Sequence, residues 1–411
     1  MDLKFPKGFL FGASTSSHQV EGYGNNDWTE WEHTNAERLA CEAREEEWPY
    51  FILNAYPSPI NPQNYISGKA CDHYHRFRED FDIAKSLGHN AHRMSVSWSK
   101  VEPEEGKFDE EALEHYHQVA LALRERGIEP FVTLWHWPLP LWLVKKGGWG
   151  YRRAPEYFAH YCDRVVRALN EHISFWVTLN EPEIYAMHGY FQGDWPPGKT
   201  STLHTIYILK RMAKAHRYAY AAIKKIDPNT QVGFATNNTH FKSYGGMLND
   251  MIRWVADRIW NHSVFRNTMG TFDFVGLNYY FHKTIDWRGR HFNNKITSDV
   301  TWELDPKGLY YVLKDLKKYD KPIYILENGV ADMRDLVRAH FIEQHLHWTL
   351  QAIEEGVPVK GYFYWSLLDN FEWSKGFWPR FGLVEIDYKT LERKIRPSAW
   401  RYKEIIDRTS K

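Results

Sequence analysis

Phe175-Trp176-Val177-Thr178-Leu179-Asn180-Glu181-Pro182 is an apolar, β-branched run that stops on an amide, a carboxyl and a proline. It reads as a buried strand whose last residues are delivered to a sheet edge, with Pro182 ending the ladder because it has no N–H to give. Ile323-Tyr324-Ile325-Leu326-Glu327-Asn328-Gly329 repeats the pattern far downstream. One polar residue at a strand end is ordinary. Two buried strands that each end in Glu also meet the needs of chemistry that sets a pair of carboxyl groups across one bond, so the rest of the chain must decide.

Working outward, runs of the same kind recur at Gly8 to Ser17, Asn90 to Trp98, Ile128 to His136, Gln231 to Asn237, Asp273 to Tyr280 and Val359 to Ser366. Helical spacing of apolar residues separates them at His73 to Leu87, Phe108 to Arg126, Ala154 to Leu169, Ser201 to Ile226, Pro306 to Tyr319 and Arg338 to Glu354. Near-continuous apolar strands alternating with helices predict a parallel sheet buried on both faces. Eight such strands predict a closed (β/α)8 TIM barrel with long loops rather than an open doubly wound sheet. No Gly-x-Gly-x-x-Gly follows the first strand, which weakens a dinucleotide fold. No linker rich in Pro, Gly or Ser divides the chain, so residues 1–411 read as one barrel domain. Asp27 to Lys69 is proline-bearing and weakly periodic, and reads as a long loop with one short helix; its acidic run, Glu42 to Glu47, reads as solvated surface.

Composition narrows the partners. Lys plus Arg and Asp plus Glu both total 52, so no basic face for nucleic acid is implied. The outlier is aromatic: 19 Trp, 25 Tyr and 23 Phe, most of them expected in a large core, while Trp and Tyr at strand ends also make platforms for ring-shaped ligands. Cys41, Cys71 and Cys162 are scattered, with no CxxC and no His at metal spacing, so free thiols in a reducing compartment are expected and no metal site is. Neither a signal pattern nor a membrane-length apolar run is present, and a cytoplasmic protein without membrane partners is the expectation.

In a parallel barrel the functional rim lies at the carboxyl ends of the strands. Reading those ends in order gives Gln19, Arg93, His136, Asn180 with Glu181, Asn278 with Tyr280, Glu327 and Trp365. Only the fifth strand, ending near Asn237 and Asn238, yields no assignment. His18-Gln-Val-Glu-Gly22, Thr178-Leu-Asn-Glu-Pro182, Ile325-Leu-Glu-Asn-Gly329 and Tyr364-Trp-Ser-Leu-Leu-Asp-Asn-Phe-Glu-Trp373 resemble, in order, the signature segments of glycoside hydrolase family 1, the retaining β-glucosidase and β-galactosidase family. The likeness runs from residue 8 to about residue 400.

The resemblance implies that Glu181 is the acid/base and Glu327 the nucleophile of a retaining exo-β-glycosidase, chiefly a β-glucosidase with β-galactosidase or β-fucosidase side activity. That mechanism wants the carboxyls about 5–5.5 Å apart. Arg93 would hold Glu327 ionised, while burial and the charge opposite would keep Glu181 protonated. By the same resemblance Gln19, His136, Asn180, Asn278, Glu372 and Trp373 would bind sugar hydroxyls, and Trp365 would supply the floor. Tyr280 would orient the nucleophile, with Trp302 and Phe381 on the leaving-group side. The implied substrate is a small β-glycoside or short oligosaccharide, with no cofactor. Retention of Glu372-Trp373 points to unphosphorylated sugars, because a carboxylate there would repel a phosphate.

Some positions depart from the family pattern. Leu326 stands where Thr is usual, Met94 where Phe is usual and Pro138 where Asp is common. The chain runs from Gly329 to its next helix within about ten residues, where many members carry an insertion. Cys41 to Ile66 matches no family pattern. Two alternatives stay open: a transglycosylase using the same covalent intermediate, and a non-catalytic glycan-binding barrel.

Overall fold

The computed structural model of the chain describes residues 3–288 and 296–409. Eight parallel strands close a barrel: β1 (Leu10–Ser14), β2 (Ala91–Ser95), β3 (Glu129–Trp135), β4 (Phe175–Asn180), β5 (Gln231–Asn237), β6 (Phe274–Asn278), β7 (Ile323–Asn328) and β8 (Val359–Trp365). Each pairs with its neighbours in chain order, and β8 closes onto β1 with Ser14 opposite Trp365. Their runs of buried residues follow from a sheet covered on both faces. Inside, Phe131 stacks on Phe175 at 4.1 Å and lies 4.9 Å from Phe363 and 5.1 Å from Tyr324. The barrel axis is therefore a plug of rings, and only its carboxyl-end rim is left for a ligand.

The main helices are α1 (Asp27–Arg44), α2 (His73–Ser86), α3 (Glu110–Glu125), α4 (Ala154–Leu169), α5 (Thr202–Ile226), α6 (Met247–Trp260), α7 (Pro306–Leu316), α8 (Arg338–Glu354) and α9 (Pro397–Thr409). Side-chain caps fix the starts of α1, α3 and α5. Asp109 Oδ1 accepts from the N–H groups of Glu111 and Ala112 at 2.9 and 3.0 Å, and α3 opens there. Among the described residues no helix is long and apolar enough to cross a membrane.

The Asp27 to Lys69 expectation needs correction. Helix α1 takes 18 residues of that stretch, its first turn capped by Asn26, whose side-chain oxygen accepts from the Thr29 N–H at 3.1 Å. Its buried stripe is Trp28, Glu32, Ala36, Ala40 and Ala43. Three alanines and a carboxyl leave little apolar periodicity to read, although the side chains fall on one face. Glu42 and Glu45 to Glu47 are exposed around the end of that helix, as the solvated reading expects.

Register sets the rim. Arg93 lies opposite Ser14, Asn237 opposite Asn278, and Asn278 opposite Glu327, so residues distant in sequence arrive at one level. Gly329, just past the end of β7, has no room for a side chain: a Cβ there would fall 1.8 Å from the Trp365 carbonyl oxygen.

Candidate active site

The carboxyl ends of the strands enclose a cavity of about 370 Å³. That is room for a small ligand rather than a macromolecule. Gln19, His136, Glu181, Tyr280, Trp302, Glu327, Trp365, Glu372, Trp373 and Phe381 all line it. Arg93, Asn180 and Asn278 are not on that wall. They lie one layer behind it, bonded to the lining groups.

Glu181 is placed by its backbone. Its N–H donates to the Ala235 carbonyl at 2.8 Å, and its φ of +44° puts it in the left-handed region, with Pro182 opening a short helix immediately after. A non-glycine residue is held there only where its surroundings over-determine it. The carboxyl accepts from Asn278 Nδ2 at 2.8 Å and from Asn237 Nδ2 at 3.0 Å. Burial, then the charge of Glu327, drives its pKa well above the ordinary carboxyl range.

Glu327 has different neighbours. The Arg93 guanidinium donates to Oε1, and the Tyr280 hydroxyl donates to Oε2 at 2.6 Å. Burial wins here as well and leaves this carboxyl raised, but Arg93 and Tyr280 pull against it and the Asn278 amide adds to that pull, so Arg93 moderates the rise and does not reverse it. No cation bonds Glu181 among the described residues, so of the two acids Glu181 is the later to ionise. Arg93 also donates to Asn180 Oδ1 at 2.6 Å and to Thr133 Oγ1 at 3.0 Å, which fixes its plane. Burial, then the Glu327 charge, keeps the Tyr280 phenol protonated and therefore a donor.

The opposite wall carries hydrogen-bonding side chains. Asn180 Nδ2 donates to His136 Nε2 at 3.1 Å, an assignment that leaves the ring proton on Nδ1. Burial, then Arg93 and His18, keeps the imidazole neutral. Gln19 Nε2 donates to the Phe371 carbonyl at 2.8 Å and, at 3.3 Å, to Glu372 Oε2. Burial raises Glu372 to about 7, against the pull of the Asn370 amide at 2.9 Å. Gln19 Oε1 and His136 Nδ1 are buried and make no hydrogen bond within the protein. Buried polar atoms rarely stay unpaired, so both mark places where a ligand's polar groups would sit. Behind them the ring of His18 stacks on Trp373 at 5.4 Å, and His18 Nε2 is bonded to Glu32 of α1 at 2.7 Å.

On the far side Trp302 stands 5.6 Å from Tyr280 and 6.2 Å from Phe381, an aromatic wall at the mouth. Sequence reading missed several participants. Asn237, the strand end without an assignment, bonds Glu181, and Trp137 lines the cavity while its indole N–H donates to the Asn180 carbonyl at 3.0 Å. His188, Asp194, Trp195, Ser374 and Lys375 also line the wall. The position of Asn237 at a rim was the available signal. The loop residues carried none.

Comparison with known proteins gives a consistent picture. The profile of Glycosyl hydrolase family 1 matches residues 1–261 and 261–411. Beta-glucosidase A of Thermotoga maritima is 31% identical, with 98% of each chain covered. Among solved structures, a beta-glycosidase from Pyrococcus horikoshii superposes with a TM-score of 0.87 at 35% identity, covering 100% of this chain and 96% of that one. A beta-glucosidase from Thermotoga maritima in complex with glucoimidazole gives 0.88 at 29% identity, with 100% of both chains covered.

Proposed function

The chain belongs to glycosyl hydrolase family 1, and from that premise we propose that it is a retaining exo-β-glycosidase acting chiefly on unphosphorylated β-glucosides. Glu327 attacks the anomeric carbon while Glu181 gives its proton to the departing glycosidic oxygen, and the C–O bond breaks. Glu181, now ionised, takes a proton from water. That water attacks the same carbon and expels Glu327, returning product of the original anomeric form. The observation that carries this reading is the asymmetry between two carboxyls on one cavity: among the described residues Glu327 is held by Arg93 and Tyr280, and Glu181 by the neutral amides of Asn237 and Asn278.

Arg93 and Tyr280 favour the charged nucleophile; burial favours the protonated acid. Gln19, His136, Glu372 and Trp373 bind the hydroxyls of a terminal sugar, with Trp365 beneath it. Asn180 lies one layer behind the lining, braced by Arg93 and His136, and a sugar that presses into that wall would bring its 2-hydroxyl to the amide, where a hydrogen bond gains strength as charge develops. A β-galactoside or β-fucoside differs at hydroxyls on this wall, so both are slower alternative substrates. The protein is expected to act in the cytoplasm.

The deciding experiment is Glu327→Gly. Hydrolysis of a nitrophenyl β-glucoside should fall by several orders of magnitude, and added azide or formate should return product of inverted anomeric form. Wild-type activity in that variant would remove Glu327 from the mechanism. Rates on galacto, fuco, manno and 6-phospho analogues then rank the sugar preference. Lys375 on the wall makes the phospho comparison a necessary one.

A further inference from the structure

At the end of the barrel away from the cavity, β4 is entered through Glu171-His172, directly after α4, and His172 faces His117 on α3. The two Nε2 atoms are 3.2 Å apart. The rings are not stacked, with centroids 4.8 Å apart and planes inclined at 49°. Glu171 joins them: one ring nitrogen of each histidine and a carboxylate oxygen of Glu171 all lie within 4.8 Å of one another. Two imidazole nitrogens bound tetrahedrally to one zinc ion at about 2.0–2.1 Å each stand roughly 3.3 Å apart. We propose that His117, His172 and Glu171 bind one divalent transition-metal ion of the zinc class, with water completing the coordination.

A hydrogen bond between the two rings accounts for the short contact if one offers N–H and the other a lone pair. It accounts neither for the carboxylate beside them nor for His117 Nδ1, which is buried, makes no hydrogen bond and faces Glu114 Oε1 at 3.8 Å. A metal-bound imidazole turns its other N–H to a carboxylate, and Glu114 is the acid on that side, too far at 3.8 Å for a hydrogen bond and already accepting from Gln118 Nε2 at 2.8 Å. Two nitrogens and one oxygen suit zinc, nickel or copper and not magnesium. The nearby Arg124, whose Nε donates to the His172 carbonyl at 2.6 Å, is itself paired with Glu129, which limits its repulsion of a cation.

A second histidine and acid cluster, Asp257, His262 and Asp315, offers a contrast. There the Lys318 ammonium already sits 3.0 Å from His262 Nε2 and 3.1 Å from Asp315 Oδ1, filling the cation's place. No ammonium bonds the His117 and His172 imidazoles among the described residues. The ion would tie α3 to the turn that leads into β4. That location, on the order of 20 Å along the strand from Glu181, makes it structural and not catalytic.

The test is calorimetric titration of the chelator-stripped full chain with zinc chloride, with magnesium chloride as control. Zinc should bind at one equivalent and magnesium not at all. His117→Gln and His172→Gln should each weaken zinc binding at least tenfold, and Glu171→Gln less, with unchanged far-ultraviolet circular dichroism and unchanged hydrolysis of a nitrophenyl glucoside. No zinc binding by the wild-type chain overturns the proposal. So does binding that persists unaltered in the folded His117→Gln/His172→Gln double variant, because the zinc would then lie elsewhere.

Discussion

Tyr280→Phe removes one oxygen and little else. The ring keeps its neighbours, Trp302 at 5.6 Å and Phe381 at 6.4 Å, while the 2.6 Å hydrogen bond to Glu327 Oε2 is lost. A hydrogen bond to a charged partner contributes about 1.5–3 kcal/mol. At about 1.36 kcal/mol per factor of ten, kcat/KM on a nitrophenyl β-glucoside should fall roughly 10- to 150-fold. The pH profile carries the sharper signature. Tyr280 lowers the pKa of Glu327, so its loss raises that pKa. On the proposed mechanism Glu327 must be ionised, so the acid limb of kcat/KM should move to higher pH, while the alkaline limb, which that mechanism assigns to Glu181, moves much less. The assay is kcat/KM across the stable pH range for wild type and variant, each compared at its own plateau. An acid limb that stays in place, with a plateau within about threefold of wild type, would refute the claim that Tyr280 acts through the charge on Glu327.

Glu181→Gln should slow glycosides of poor leaving groups far more than dinitrophenyl glycosides, and should erase the alkaline limb; steady-state rates on a graded leaving-group series check both. Arg396→Met strips Asp369 of a bidentate partner at 2.8 and 2.9 Å in a buried site, and should cost about 3–5 kcal/mol by denaturant unfolding, towards the lower figure because Arg380 remains 3.7 Å away. Burial pushes the Asp369 carboxyl up, but Arg396 and Arg380 more than offset this and hold it below its ordinary value. Stability from this pair is therefore present above the unfolded carboxyl pKa and lost as pH falls through the folded one, so Arg396→Met should flatten that part of the acid-unfolding curve. Asp109→Ala removes the cap of α3 and should cost about 1 kcal/mol, read from the same unfolding curves.

The barrel could be read from the chain because a strand buried on both faces needs a near-continuous apolar run, and β4 and β7 are such runs up to their polar ends. Helix α1 was hidden because its inward face is largely alanine with Glu32 set among them. In α6 the apolar side chains Met247, Met251, Trp254 and Ile259 are exposed, so burial of an apolar face does not explain that helix. The two glutamates stood at strand ends and could be named from there. The part played by Asn237 could not, because it depends on register: the β4–β5 pairing shifts between Val177 and Asn180, which sets Asn180 opposite Ala235 and lets the end of β5 overhang Glu181. Trp137 is beyond sequence patterning for a related reason, since its φ of +87° is a backbone state that residue type does not announce. His117 and His172 are separated by 55 positions, so no ligand spacing flags them.

The left-handed backbone of Glu181 sets foldability and chemistry at odds in this one residue. A glycine would relax the turn, and an uncharged side chain would spare the barrel a largely buried acid. Screening a library of this chain for heat resistance alone would therefore tend to enrich inert barrels at position 181. Any campaign to toughen it has to select for turnover in the same round.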